Sequence, residues 1–256
     1  MQYAAQLYTL RSLPTAERCQ SVADAGFDGV ELVGLDPGPC DGVDVAAAHV
    51  GLDTLEASPT EAVERARAHG TNTLVVPFVD PDAVRPDAID RTAERLDALA
   101  EAVETAGGRL LYHNHEFEFE FARERAAGGD GASDRCSGDG SDTPFGRLAD
   151  ATTRLGFEVD VGWAAAAGVD PVSVIERFGD RIPLVHLKDV RLDPTASRGG
   201  HPVDLGEGDV DLAGVVDAAR AAAVEWLVFE HDEPESPVRT VTNAARWLDI
   251  DSSDTR

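Results

Sequence analysis

Lysine is almost absent from this chain: Lys188 is the only one in 256 residues, and the other basic residues are all arginine. Cysteine is scarce as well. Cys19, Cys40 and Cys136 are odd in number and widely spaced, with no CxxC pair, which argues against a disulfide framework and against a cysteine zinc site. They read as reduced thiols. Long apolar runs are missing, none reaching the roughly 18 residues a membrane span needs. The opening MQYAAQLYTLR lacks the basic start and apolar core of a signal peptide. These absences predict a soluble, cytoplasmic protein with no membrane partner.

Positive charge is also in short supply, with 22 basic against 48 acidic residues and a net charge of -26. Such a surface repels phosphate backbones, so nonspecific nucleic-acid binding is disfavoured at ordinary salt. Self-repulsion at this density destabilises a compact chain unless salt screens it, and at about 1 M the Debye length falls to about 3 Å. The composition resembles that of proteins from salt-loving organisms.

Eight strand-like segments alternate with helical ones. Strands are predicted at residues 3–8, 26–33, 43–50, 73–78, 109–113, 157–161, 182–187 and 226–229. Helices are predicted at 14–25, 58–69, 87–106, 147–154, after Asp170-Pro171, at 212–223 and at 238–248. TLVVPF at 73–78 is apolar throughout, as suits a strand buried on both faces of a parallel sheet. The stretch 123–143 is rich in Gly, Ser and Asp and reads as a flexible insertion in a single domain spanning 1–256. Eight units in 256 residues, about 32 each, favour a (β/α)₈ TIM barrel. An open doubly wound sheet is the alternative, but no GxGxxG turn follows the first strand.

In such a barrel the chemistry sits where the strands end. Those ends carry Glu31, His49, the cluster in RLLYHNHEFEFEF at 109–121, Asp160, His186 with Lys188, and Glu230 with His231. Imidazoles and carboxylates are the ligand types that suit a divalent cation. Side chains alternate along a strand, so the cluster at 113–120 can supply at most one site by itself.

Taken in order, QLYTLR at 6–11, GFDGVEL at 26–32, YHNHEFEF at 112–119, DVGW at 160–163, VHLKD at 185–189, LGEGDVD at 205–211 and FEHDE at 229–233 resemble the xylose-isomerase-like TIM barrel superfamily, in particular its sugar phosphate isomerase/epimerase branch. The resemblance implies one divalent metal ion, Mn²⁺, Mg²⁺, Co²⁺ or Zn²⁺, held by Asp160, His186 and Glu230 together with a strand-five group. For that last ligand it favours Glu118, whose FEF context is similar to members in which an acid just past the strand turns back, with His113 as the alternative. Glu118 and Glu230 are then the expected catalytic pair, moving a proton through an enediolate beside the substrate carbonyl. Glu31, His49, His113, His115, Trp163 and Lys188 are the expected substrate contacts. Lys188 is singled out because a chain that uses arginine elsewhere keeps lysine two residues from an expected ligand.

The endonuclease branch of the same superfamily needs a histidine three residues after the strand-six aspartate. This chain has Trp163 there, which together with the net charge disfavours abasic-site cleavage. Three readings stay open: a sugar isomerase or epimerase, a lyase or dehydratase acting on a keto-sugar or inosose, and a binding barrel without activity. No Gly-rich phosphate loop is evident, which slightly favours an unphosphorylated carbohydrate substrate. Oligomeric state is not legible, and a homo-oligomer is compatible with the sequence.

Overall fold

The computed structural model of the chain describes residues 1–36, 38, 40, 42–119 and 138–250. Ten strands are present among them: β1 (Gln2–Gln6), β2 (Gly29–Val33), β3 (Asp44–His49), β4 (Thr73–Val76), β5 (Arg109–His113), β6 (Gly156–Asp160), β7 (Leu184–Leu187), β8 (Asp189–Leu192), β9 (Gly200–Val203) and β10 (Trp226–Phe229). Eight of them close into a parallel barrel in the order β1-β10-β7-β6-β5-β4-β3-β2. The helices between them are α1 (Thr15–Asp24), α2 (Leu52–Ala57), α3 (Pro59–Ala68), α4 (Ile89–Thr105), α5 (Pro144–Ala151), α6 (Val161–Ala166), α7 (Pro171–Phe178), α8 (Leu212–Ala221) and α9 (Pro237–Trp247). The predicted (β/α)₈ barrel is therefore the fold. Most of the predicted insertion at 123–143 lies outside the described residues.

Strand alternation builds two separate cores. Outward residues such as Val30, Leu32, Tyr112, Phe157, Val159, Val185, Leu187, Leu227 and Phe229 join the large cluster shared with the helices. Inward residues Ala4, Ala46, Ala47, Val75, Leu111, Leu184, Trp226 and Val228 form a small apolar plug that fills one end of the barrel. Trp226 fits there because Gly29 faces it. A Cβ at that position would lie 3.0 Å from the indole and 2.9 Å from the Asp44 carbonyl. Two residues past Ala47, Leu111, Leu184 and Val228 the interior changes from apolar to ionisable, with His49, His113, His186 and Glu230.

Helix starts follow local chemistry. The Asp170 carboxylate accepts from the Val172 N–H at 3.1 Å, the Thr143 hydroxyl from Gly146 at 3.2 Å, and Asp211 from Gly214 at 3.0 Å. Pro occupies the first turn of α3, α5, α7 and α9, where its missing N–H costs nothing. Thr143 places the start of α5 three residues before the predicted 147.

Two departures from the sequence reading stand out. The stretch 189–203, for which no strand is predicted, forms an antiparallel hairpin, β8 with β9, standing on the end of β7. Cys19 in α1 and Cys40 in the β2–β3 loop are joined by a disulfide, with Cα atoms 5.2 Å apart, which corrects the expectation of reduced thiols. The loop after β2 folds back over α1 and brings together two residues that their spacing in sequence does not relate.

No helix among the described residues is long and apolar enough to cross a membrane. With a net charge of -26, raising KCl from about 0.1 M to about 1 M shortens the Debye length from about 10 Å to about 3 Å and is expected to raise the melting temperature. A melting curve indifferent to salt over that range contradicts this electrostatic account.

Candidate metal centre at the barrel mouth

Ionisable residues occupy two successive layers of the barrel interior. The deeper layer contains Glu31 from β2, His49 from β3, His113 from β5, Glu158 from β6 and His186 from β7. Above it lie Asp160 at the end of β6, Lys188 just past β7, and Glu230 just past β10. Each pair i, i+2 on a strand, Glu158 with Asp160 and His186 with Lys188, puts one member in each layer.

In the upper layer, His186 Nδ1 lies 3.1 Å from Glu230 Oε2. The ligand atoms of His113, Asp160, His186 and Glu230 all fall within 4.8 Å of one another. Asp160 also caps α6, its Oδ1 accepting from the Trp163 N–H at 3.0 Å. Asn114 grips the Asp160 backbone from the neighbouring strand, accepting from its N–H at 2.9 Å and donating to its carbonyl at 3.2 Å. The aspartate is thus fixed by its own helix and by β5.

Lys188 is buried against three carboxylates. Its Nζ lies 2.8 Å from Asp160, 2.9 Å from Glu230 and 2.7 Å from Asp232. Burial pulls its pKa down, but those carboxylates outweigh burial and hold the ammonium charged. Burial works to raise the Glu230 carboxyl, yet Lys188 and then His186 hold it well below its ordinary value. Gly162 leaves room for the lysine stem, since a Cβ there would lie 2.8 Å from Lys188 Cγ.

Among the sequence-predicted residues, the structure brings His49, His113, His115, Trp163, Lys188 and Glu230 to the wall of one cavity of about 490 Å³. That size lies within the range of small-molecule sites. Glu31 lies beneath it in the deeper layer. Trp163 is covered by the Arg198 guanidinium at 3.4 Å, and Arg198 pairs with Glu116 at 2.7 Å. The hairpin β8–β9 thereby reaches over one side of the cavity. His115 is driven down to about 2 by burial first and then by its neighbours, Lys188 and Arg198 among them, so its ring is neutral.

Glu118 departs from expectation. It sits in a short 3₁₀ turn after β5, where its carboxylate accepts from the His115 N–H at 2.8 Å and from the Tyr112 hydroxyl. Tyr112 and His113 are adjacent on β5 and so face opposite sides, Tyr112 outward toward the helices and His113 inward. By pairing with Tyr112, Glu118 lies on the outward side, away from the converging ligands. Burial raises its carboxyl to about 8, against the opposing pull of Tyr112. Among the described residues His113, the alternative strand-five ligand, falls within the converging group, whereas the favoured Glu118 is turned onto Tyr112 and the His115 N–H.

Sequence reasoning missed Glu158, Asp232, Gln6 and Arg198. Glu158 carried a usable signal, because it precedes Asp160 by two on the same strand and must share its face. Gln6 ends β1 in the same way and donates to Glu31 at 2.8 Å. Arg198 belongs to the β8–β9 hairpin, for which no strand was predicted.

Parallel closure, the apolar plug at one end and ionisable groups at the carboxyl ends of the strands define a TIM barrel whose site lies at its C-terminal face. A model of the xylose isomerase-like TIM barrel family matches residues 57–250, and the chain belongs to that family. No curated protein matches the sequence. Solved structures share the fold at low identity. A sugar phosphate isomerase/epimerase from Parabacteroides distasonis ATCC 8503 is 16% identical with a TM-score of 0.73, over 97% of this chain and 98% of that one. The probable 3-DHS dehydratase AsbF of Bacillus anthracis, involved in petrobactin synthesis, is 14% identical with a TM-score of 0.70, over 97% and 99%. The IOLI protein, whose structure has a zinc atom bound, is 13% identical with a TM-score of 0.70, over 98% of each chain.

Proposed function

We propose that the protein is a divalent-metal-dependent isomerase or epimerase of a small sugar or sugar derivative. The observation that carries this reading is the convergence of His113, Asp160, His186 and Glu230, of which His113 and Glu230 line the cavity. The donor set suits a divalent cation, and its charge does too. Asp160, Glu230 and Asp232 face the single Lys188 ammonium, so carboxylates outnumber the lysine at this end of the barrel. His113, Asp160, His186 and Glu230 would hold the ion, which supplies Lewis-acid polarisation of a carbonyl and its neighbouring hydroxyl.

The chain's own groups do the rest. Glu230 lines the cavity, and its carboxylate stays ionised beside Lys188, so it can take a proton from the carbon next to a carbonyl. Lys188 offers a compact N–H donor to oxygen charge that develops there. Neutral His115 can orient a hydroxyl without adding charge, and Trp163 with Arg198 walls off water on one side. Glu118 has no access to this cavity and takes no part in the proton transfer.

A lyase acting through the same carbanion is the second reading, supported by the dehydratase among the structural neighbours. Incubating the Mn²⁺-loaded protein with ketoses and inososes in D₂O separates the two. Deuterium at the carbon beside the carbonyl, with the mass otherwise kept, is the expected result. Loss of water assigns the lyase, and no exchange with any of these substrates overturns both.

A further inference from the structure

We propose that the cavity continues into a second compartment that holds a neutral sugar ring, so that the substrate is a two-ring saccharide whose reacting ring lies against Glu230. This inference rests on the isomerase reading and extends it to the size and charge of the substrate. A groove of about 480 Å³ lies beside the cavity of about 490 Å³, and Gly51 lines both. Each is within the size range of small-molecule sites. Gly51 follows the end of β3, and just past the neighbouring β4 Pro77 lines the cavity while Phe78 lines the groove. The groove therefore opens from the same C-terminal rim that carries the site.

Phe78 stands at the junction. Its side chain is 49% exposed, and its ring packs edge-on against His115, with centroids 5.7 Å apart and planes at 84°. His115 lines the cavity, so one phenylalanine joins the two compartments. Phe117 supports it from another side at 5.8 Å. A single exposed aromatic is ordinary on a protein surface. One that touches a cavity-lining ring and walls an adjoining groove offers its face to the C–H face of a pyranose. Buried Val79 and Leu96 lie at the bottom of the groove, and exposed Asp53, Thr54 and Asp80 stand around it. An apolar platform with carboxylate and hydroxyl oxygens at its edge suits a ring that carries hydroxyls.

Charge selects a neutral ring over an anionic one. Arg95, the one basic residue lining the groove, is held by both oxygens of Glu56, at 2.5 and 2.6 Å. Asp53 and Asp80 then leave the groove negative, so a phosphate or carboxylate would be repelled there while neutral hydroxyls can donate to them. Binding energy from a remote ring can be used at the reacting centre, which makes a two-ring substrate turn over better than its truncated form. The competing account is a depression between α2 and α4 that binds nothing.

Substrate size decides between the two accounts. Hydrogen exchange in D₂O is compared on the Mn²⁺-loaded protein for D-fructose, D-fructose 6-phosphate and the ketodisaccharides lactulose, maltulose and isomaltulose. Isothermal titration calorimetry measures ketodisaccharide binding independently of turnover. The variants are Phe78→Ala and Thr54→Trp, both at exposed positions, with circular dichroism to check folding. At least one ketodisaccharide is expected to exceed fructose in kcat/KM by about tenfold, and each variant should lower that ratio by about tenfold, Thr54→Trp because its indole fills the groove. Exchange with fructose that no ketodisaccharide exceeds, or variants that slow both substrates alike, overturns the second compartment and leaves the proposed function standing. Fructose 6-phosphate preferred to every ketodisaccharide overturns the neutral second ring. Ketodisaccharide binding that both variants weaken, without exchange of any substrate, supports the compartment and counts against the isomerase reading. Neither binding nor exchange overturns both.

Discussion

Replacing Lys188 with methionine is expected to destabilise the metal-free protein by roughly 3–5 kcal/mol, the usual cost of breaking a buried ion pair from one side. In a chain of this length that corresponds to a fall in melting temperature of about 10 °C. Methionine keeps most of the stem volume beside Gly162, so the loss reports charge more than packing. Asp160, Glu230 and Asp232 would face one another without the ammonium that now lies within 2.9 Å of each. Glu230 would lose the largest influence that holds its carboxyl down, leaving His186 as the main opposition to burial. The deficit should accordingly be greatest at neutral pH and shrink in acid, where the carboxyls can protonate. Divalent metal should restore much of it, since the ion replaces the missing positive charge. A Lys188→Met protein as stable as wild type in chelator contradicts this electrostatic role.

Glu118→Gln should change how stability depends on pH. With its carboxyl raised from an ordinary 4.5 to about 8 by burial, the folded state holds a proton between those values that the unfolded chain releases. Stability contributed by the protonated form is present below about 4.5 and is lost as pH rises through about 8. A shift of this size corresponds to on the order of 3–5 kcal/mol. Glutamine can still accept from the His115 N–H through its carbonyl oxygen and donate its amide N–H to the Tyr112 oxygen, but it has no proton to lose. Urea denaturation of both proteins at pH 5 and pH 9 makes the comparison. His49 complicates the wild-type curve alone. Although burial lowers its pKa, Glu31 and Glu158 raise it to about 10, so its stabilisation also fades from about 6.5 through about 10. The difference between variant and wild type isolates Glu118, and parallel curves would falsify the burial of an ionisable carboxyl there.

The barrel was legible because its signals are local. Strand runs such as TLVV at β4 and LVHL at β7 are short, apolar and separated by capped helices, and eight of them in 256 residues fit one closed sheet. The convergence of Asp160, His186 and Glu230 was legible for a related reason, because in a barrel the end of a strand fixes a side chain's address. What could not be read depends on which way the chain turns after a strand stops. Glu118 lies past the end of β5, where a 3₁₀ turn and one tyrosine hydroxyl decide its side, and neither has a periodic signature. The hairpin at 189–203 carries Pro194, Ser197 and two adjacent glycines, which give no strand signal, and its pairing is visible only in register. Cys19 and Cys40 meet through a loop whose path composition does not specify. Glu158 was within reach, and the alternation that placed Asp160 inward already required it.

The most direct measurement is anomalous diffraction from crystals of the Mn²⁺-loaded protein. The account predicts a peak bonded at about 2.0–2.3 Å to Asp160, His186 and Glu230, with Glu118 still turned onto Tyr112. Data in which no ion touches these three residues, with Lys188 alone bridging Asp160 and Glu230, would contradict it.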